Sequence, residues 1–235
     1  MVADGRTLAS AIDVNAGGAA FRVVRIAASA HLHLYSGRGG RSSTDPTTRA
    51  HAITAFNGAF DYNAEPAITG IRGPDGTFGT FTAGMAAVVG YSDGTFGLGQ
   101  WGRDVPAAGR QLAWARSNLN MLVDGGHPTA AVGNVGQWGI PLNTVGNNTA
   151  RSALGIDGSG NLLYAASMAT FPGPLADALV AMGAQRAMEL DINPWWVRCF
   201  GYPNGQAVSL FDNPNGSGDV FTSGWNRDFF VAATV

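Results

Sequence analysis

The chain has 235 residues, 46% of them hydrophobic and 13% charged, which is the composition of a globular protein rather than a disordered one. Its formal net charge of −2 excludes the strongly basic surface that binds nucleic acid or anionic lipid. All fourteen positions counted as Lys or Arg are arginine, which excludes a Walker A phosphate loop, a Schiff-base lysine and a Ser–Lys dyad. Since no linker or shift of composition divides the chain, we expect a single domain over residues 1–235.

Neither a disulfide, a metal nor a membrane span is expected. The single cysteine, Cys199, has no partner, and its apolar neighbours favour a buried thiol over a nucleophile. His31 and His33 share one face of a predicted strand, but no third ligand lies near them, so we predict no cofactor. No apolar run is long enough to span a bilayer and no signal peptide is recognisable, so the residues leave the cellular compartment open.

The first half of the chain is typical of short strands joined by tight turns. Strands are predicted at residues 21–26, 31–35 and 55–60. Asp45 and Pro46 are a good N-cap and first-turn pair for a short helix that reaches Ile53. Asp-Gly pairs at residues 75–76 and 93–94 predict β-hairpins between residues 73 and 102.

The second half adds the best helix pattern of the sequence. Residues 174–182 carry apolar positions on one face, Gly183 ends the helix, and the chain then enters a strand over residues 186–191. Further strands are predicted at residues 118–123, 152–156, 162–167, 208–211, 220–221 and 229–231. We therefore predict an α+β fold with a mixed, mainly antiparallel β-sheet, hairpins and two or three short helices, including a helix-to-strand crossover.

The segment "AMELDINPWW" at residues 187–196 is the strongest candidate site. Glu189, Asp191 and Asn193 alternate with apolar residues, so a strand would place them on one face, with the two carboxylate Cα atoms roughly 6.6 Å apart. Repulsion between two such carboxylates can raise one pKa and so separate an acid from a base. Trp195 and Trp196 follow directly, and aromatic rings beside carboxylates are typical of sugar-binding clefts. The alternative is a solvated polar edge.

Two further positions are unusual for their surroundings. Gly58 follows Asn57 inside an apolar strand, where glycine indicates a β-bulge or the close approach of another group. Arg151 directly precedes a predicted strand in a chain with few cations, and its alternative is an ordinary surface arginine.

Several segments together resemble the phosphodiester glycosidase family. Residues 55–60 resemble its N-G-G-F-F-like strand, and residues 151–157 resemble its R-T-x-L-G strand, which a hairpin follows. Residues 182–184 and 187–191 resemble the end of its helix and the start of its L-D-G-G-G-S motif. Residues 121–126 match a segment that precedes the arginine. The chain departs from the family at residues 192–195, where Ile-Asn-Pro-Trp stands in place of the glycines.

The resemblance implies a hydrolase that acts at the anomeric carbon of a sugar in a sugar-1-phosphodiester or a cell-envelope glycan. Asp191 would stabilise an oxocarbenium-like transition state or activate water, and Glu189 would be its partner carboxylate. Arg151 would clamp phosphate oxygens, and the full substrate-binding set would be Asn57, Gly58, Arg151, Asn193, Asp124 and Trp195. The expected partner is a carbohydrate, without nucleic acid, and the expected location is extracellular or in the cell envelope.

Two other functions remain open on the same residues. One is an ordinary glycosidase of envelope or capsular polysaccharide, in which Glu189 would have to act as a true acid. The other is a carbohydrate-binding protein that keeps the cleft and the tryptophan pair but has lost catalysis together with the glycines.

Overall fold

The computed structural model describes residues 1–3, 6–37, 42–61, 67–139, 148–216 and 218–235. Within these ranges the strands are β1 (Val2–Ala3), β2 (Arg6–Thr7), β3 (Ala9–Ala16), β4 (Ala19–Ile26), β5 (His31–Tyr35), β6 (Ala52–Asn57), β7 (Gly70–Gly73), β8 (Gly76–Gly79), β9 (Ala86–Tyr91), β10 (Phe96–Gln100), β11 (Leu112–Ser117), β12 (Met121–Asp124), β13 (His127–Pro128), β14 (Thr149–Asp157), β15 (Leu162–Thr170), β16 (Ala184–Glu189), β17 (Cys199–Gly201), β18 (Val208–Ser209) and β19 (Phe229–Ala233). The α-helices are α1 (Pro46–Ala50), α2 (Pro172–Ala181) and α3 (Val220–Ser223), and short 3₁₀ turns lie at Ala130–Gly133, Val135–Gln137 and Pro203–Gly205.

Three large sheets and one two-stranded ribbon, β1-β2, contain the described strands. The largest sheet has the order β13-β12-β16-β14-β15-β4-β3. One five-stranded sheet has the order β10-β9-β11-β7-β8 and the other β18-β17-β6-β19-β5. Every strand pair within the described ranges is antiparallel. The predicted α+β class with hairpins and a few short helices is confirmed.

The predicted helix-to-strand crossover is α2, which joins β15 to β16. Both strands pair antiparallel with β14, which lies between them, so they run parallel to each other. The helix packs its buried Leu175 and Leu179 on the sheet. Its first residue is Pro172, which lacks an N–H, and the first N–H groups of a helix have no acceptor within the helix. This crossover brings the chain to Glu189 and Asp191 in the middle of the seven-stranded sheet.

Several local predictions were wrong at the ends of elements, and one was wrong in the type of element. The strands predicted at residues 55–60, 118–123 and 208–211 are β6, β12 and β18, with other bounds. The helix after Asp45 ends at Ala50, and Ile53 belongs to β6. The strand predicted at residues 220–221 is α3, because the Asp219 carboxylate accepts hydrogen bonds from the Phe221 and Thr222 amides and so caps a helix. The strand predicted to reach Asp191 is β16, which ends at Glu189.

The seven-stranded sheet is covered on both faces. Alternate side chains of β16 enter different apolar clusters. Met188 belongs to the cluster shared with both five-stranded sheets, and Ala187 belongs to the cluster beneath α2. No helix in the described part of the chain is long and apolar enough to cross a membrane.

Candidate functional site

Asn57 at the end of β6 links two sheets. Its amide nitrogen donates to Ser152 Oγ and to the Gly58 carbonyl, each at 2.9 Å. Its amide oxygen accepts from Tyr164 Oη at 2.9 Å and from the Arg198 amide at 3.1 Å. These four bonds use the whole capacity of a side-chain amide, so Asn57 holds β6 against β14. Its predicted contact with substrate stays a prediction.

Asp191 follows the end of β16 and is buried, with 6% of its surface exposed. Its backbone stays bonded to β14, because its carbonyl accepts from the Ser152 amide at 2.9 Å and its own amide donates to Ser152 Oγ at 3.2 Å. One carboxylate oxygen, Oδ1, accepts from the Asn193 amide at 2.7 Å. The Ile192 amide also lies within hydrogen-bonding reach of the carboxylate and lowers its pKa. Backbone amides of the segment that follows β16 therefore hold the side chain in place.

Two arginine–carboxylate pairs, Asp228–Arg116 (2.8 Å) and Asp61–Arg227, each place one charge within electrostatic reach of Asp191. A third pair, Glu189–Arg151 (2.6 Å), lies two residues before it on the chain. Asp191 itself has no arginine within ion-pair distance in the described ranges. It is thus the carboxyl group of this cluster whose charge is not already neutralised by a partner.

The environment of Asp191 favours its protonated form. Burial raises its pKa from 3.8 to about 8, the hydrogen bond from Asn193 opposes that change, and the nearby Asp228 charge adds to it. The charge of Arg227 lowers the pKa and so places this guanidinium within electrostatic reach of Asp191. A carboxyl group with such a pKa can exchange a proton near neutral pH, which an ordinary aspartate cannot do.

Glu189 and Arg151 lie enclosed in the protein, both with side chains 0% exposed. Arg151 also donates to the carbonyls of Trp138 at 3.1 Å and Thr170 at 3.2 Å. Glu189 Oε2 accepts no hydrogen bond from a described residue, and burial raises the Glu189 pKa to about 7 although Arg151 lowers it. Glu189 and Arg151, which were both predicted as site residues, therefore form a buried ion pair with each other.

Gly58 lies where another group comes close, and that group is Asp228. The Gly58 amide donates to the Asp228 carbonyl at 2.9 Å, and the next amide, of Ala59, donates to Asp228 Oδ2 at 3.1 Å. A Cβ atom added to Gly58 would overlap Asp228 Oδ2. Glycine is required here so that the carboxylate can reach Arg116 and the backbone together.

Gly58→Ala should lower the free energy of unfolding by about 3 kcal/mol, because the added methyl group must displace a buried, ion-paired carboxylate. Chemical denaturation measures this. Gly73→Ala is the matched control, since a Cβ added to Gly73 in β7 meets nothing within 4 Å and should change stability by less than about 1 kcal/mol. Equal, small effects of the two substitutions would contradict the proposed packing.

The loop after Asp191 carries the two tryptophans. Trp195 is 57% exposed, and its amide donates to Asn193 Oδ1 at 2.9 Å. Asn213 Nδ2 donates to the carbonyls of Pro194 at 2.9 Å and Val197 at 2.7 Å, which fixes the loop from behind. Trp196 is half-buried beneath the Arg227 guanidinium, which lies 3.7 Å from its ring centroid.

Asp124 is the predicted site residue that the structure does not bring to Asp191. It pairs with Arg186 in the register of β12 and β16, three residues before Glu189, which is about 10 Å along a strand. Its carboxylate lies 2.7 Å from Arg103 and 3.9 Å from Arg186 in a partly exposed ion network. Asn193 is bonded to Asp191 directly, and Asn57 and Asp191 share Ser152 as a hydrogen-bond partner.

Sequence reasoning missed Arg116, Ser152, Tyr164, Arg227 and Asp228. A usable signal exists for two of them, since Arg227 and Asp228 form a charged pair directly before a predicted apolar strand.

In the described part of the chain, no group of three His, Cys, Asp or Glu side chains is arranged to hold a metal ion.

Fold and site together define an α+β protein with a buried carboxyl group whose pKa is raised to about 8. In fold, the chain is similar to the zebrafish N-acetylglucosamine-1-phosphodiester alpha-N-acetylglucosaminidase catalytic domain auto-inhibited by pro-peptide, with a TM-score of 0.61, 14% identity, and 98% of this chain and 85% of that one covered. It is also similar to a hypothetical protein from Synechocystis, with a TM-score of 0.51, 13% identity, and coverage of 94% and 61%. No protein-family model and no curated protein matches the sequence. The chain therefore shares the fold of a glycosidase catalytic domain.

Proposed function

We propose that this protein is a hydrolase that cleaves the bond between the anomeric carbon of a sugar and a phosphodiester. The observation that carries the proposal is Asp191, a buried carboxyl group that has no arginine partner within ion-pair distance in the described ranges, whereas the carboxylates near it have one. The fold shared with a glycosidase catalytic domain supports the reaction class. The sequence resemblance supports the phosphodiester, and the proposal includes an extracellular or cell-envelope location.

In the proposed reaction Asp191 acts as the base. Water attacks the anomeric carbon and its proton passes to Asp191 Oδ2, while the carbon–oxygen bond to the phosphate breaks and the phosphate oxygen keeps the electron pair. A pKa near 8 makes this carboxylate a stronger base than an ordinary aspartate, yet leaves part of it ionised at neutral pH. Phosphate is a weak base, so this leaving group does not need a proton from a second carboxyl group.

The surrounding ion pairs favour a phosphodiester over an ordinary glycoside. An ordinary glycosidase needs a second carboxyl group that donates a proton to the leaving oxygen. Glu189, Asp228 and Asp61 are each held by an arginine, and the first two are buried. A leaving group that departs without protonation suits a site with one available carboxyl group.

The proposal divides the remaining predicted residues into two roles. Arg227, with 26% of its side chain exposed, would meet the phosphate in place of Arg151, whose side chain is enclosed against Glu189. Asn193 Nδ2, which donates to no described residue, would bind a sugar hydroxyl. Arg151 and Glu189 would position the end of β16 and, through it, Asp191.

A matched pair of substrates tests the proposal. Wild-type protein is incubated with methyl esters of several sugar-1-phosphates and with methyl glycosides of the same sugars and anomeric configuration, whose alkoxide leaving group needs a proton. We expect release of free sugar from at least one phosphodiester and slower release from its neutral glycoside. Equal or faster cleavage of the glycoside would indicate an ordinary glycosidase instead.

The pH dependence of the reaction should follow the ionisation of Asp191. Because the base is the carboxylate, kcat/KM should rise between pH 6 and about 8, the Asp191 pKa, and then level off. A pH–rate profile on the phosphodiester measures this. A rate that falls over the same range would make Asp191 a proton donor and would contradict the assigned role.

A second candidate function is carbohydrate binding without catalysis. Trp195 presents 57% of its surface to solvent, and residues 192–195 replace the glycines of the resembled motif. Binding of glycans with no sugar released from any phosphodiester or glycoside of the panel would favour this function.

A further inference from the structure

Arg198 is a half-buried arginine without a carboxylate partner. Its Nε and Nη2 donate to the Trp195 carbonyl at 3.3 Å and 3.1 Å, and its Nη1 donates to no described residue. The other arginines that form no ion pair in the described ranges are Arg6, Arg49 and Arg72, and all of these are exposed. Burial withdraws solvent from a guanidinium. An anion that pairs with Arg198 would therefore gain more binding free energy than one that pairs with a fully solvated arginine.

The position of the Arg198 side chain is built into the fold. Its backbone amide is bonded to Asn57 Oδ1 at the end of β6, directly before β17 begins. A Cβ atom on Gly216 would overlap Arg198 Nη2, so the absence of a side chain there leaves room for the guanidinium.

Trp195 lies next to this guanidinium and is exposed although its backbone is fixed. Its amide is bonded to Asn193, its carbonyl accepts two bonds from Arg198, and Asn213 binds the preceding carbonyl of Pro194. A large indole held outward by an ordered backbone binds a flat partner with little loss of conformational entropy.

We propose that Arg198 and Trp195 form a subsite for an acidic carbohydrate, in which the indole stacks on a sugar ring and the guanidinium pairs with the acidic group of that sugar. A carboxylate, a sulfate or a phosphate would serve as the acidic group, because each presents two or more oxygens to the planar guanidinium.

The subsite deepens the proposed function, on which it rests for its place beside the reacting bond. The Asn193 amide donates to Asp191 Oδ1, and the Trp195 amide donates to Asn193 Oδ1. Arg227 serves the phosphate at the reacting bond, so Arg198 would hold a second acidic group beyond it. The substrate would then be a sugar-1-phosphodiester that also carries an acidic glycan, and a small diester would be cleaved without using the subsite.

Binding measurements with oligosaccharides of defined charge test the subsite. The probes for isothermal titration are hyaluronan hexasaccharide (carboxylate), a heparin-derived hexasaccharide (sulfate), a phosphorylated mannan oligosaccharide (phosphate) and neutral chitohexaose. We expect wild-type protein to bind at least one acidic probe about tenfold or more tightly than chitohexaose, as one charge-assisted pair provides. Arg198→Gln should remove this preference, so that the acidic probes lose much more affinity than chitohexaose does.

Two further variants separate the roles of the charge and the indole. Arg198→Lys keeps the charge and should retain part of the preference for acidic probes. Trp195→Ala should weaken the binding of every probe. Arg49→Gln, at an exposed arginine of α1, is the matched control and should change nothing.

Two outcomes would overturn the subsite. One is that no acidic probe binds more tightly than chitohexaose, and the other is that Arg198→Gln binds the acidic probes as well as wild-type protein does. Sugar release from the phosphodiester pair is assayed separately. Arg198-dependent binding without sugar release would keep the subsite and reject the hydrolase, while sugar release without such binding would do the reverse.

Discussion

Asp191→Asn should lower kcat for sugar release from a phosphodiester by about 10²- to 10⁴-fold, the usual contribution of a positioned acid–base group. Asparagine keeps the size of the side chain and can still accept the hydrogen bond from the Asn193 amide, but it cannot take a proton from water. We therefore expect KM to change little. Initial rates over a range of substrate concentrations measure both quantities.

The matched control is Asp177→Asn, at an exposed aspartate of α2, which should leave kcat and KM at their wild-type values. A kcat for Asp191→Asn within a few-fold of wild type would contradict the catalytic assignment.

The same substitution has an expected effect on stability that needs no substrate. The pKa of Asp191 in the folded protein, about 8, lies above its ordinary value of 3.8, so the folded state binds the extra proton and wild-type stability falls as pH rises from about 4 to 8. Asp191→Asn removes this loss. Relative to wild type, the variant should gain a few kcal/mol of unfolding free energy between pH 5 and pH 8. If the difference in unfolding free energy between the variant and wild type is the same at pH 5 and pH 8, the raised pKa of Asp191 is contradicted.

Arg151→Met should lower the free energy of unfolding by about 3–5 kcal/mol at pH 8, because it leaves Glu189 buried and charged without its partner. The carbonyls of Trp138 and Thr170 lose their donor as well. The loss should be smaller at pH 5, since a protonated Glu189 carries no charge. Urea denaturation at both pH values measures the two effects.

The control for this pair lies at the protein surface. Arg22→Met breaks the ion pair with Asp13, whose side chains are 39% and 75% exposed, and should cost no more than about 1 kcal/mol. Replacing both buried partners, as in Arg151→Met with Glu189→Leu, should recover part of the stability that Arg151→Met loses. A loss for Arg151→Met no larger than that for Arg22→Met would reject the buried pair.

The fold class was predictable because its signals are local. Alternating residues and Asp-Gly turns mark the hairpins, and an apolar face with Gly183 at its end marks the helix α2. The ends of elements were less predictable, as at Asp219, whose side chain caps a helix where the apolar residues that follow suggested a strand. Such capping depends on side-chain geometry that periodicity does not report.

The location of the candidate site was predictable from the sequence, but which of its carboxylates pair with an arginine was not. Alternation placed Glu189 and Asp191 on one face as a carboxylate couple, but Glu189 is paired with Arg151 and Asp191 is not paired with an arginine in the described ranges. That difference depends on contacts between residues far apart in the chain, such as Arg116 with Asp228 across 112 positions. One sequence without the fold contains no signal that joins such residues.

Asp191 is a buried carboxyl group without an arginine partner in the described ranges, and burial raises its pKa into the range where it exchanges a proton near neutral pH. The most direct measurement is the ¹³Cγ chemical shift of Asp191 against pH in aspartate-labelled protein, with the resonance assigned by its absence in Asp191→Asn. We expect a titration midpoint at about pH 8. A midpoint near 4, the ordinary value for an aspartate, would contradict it.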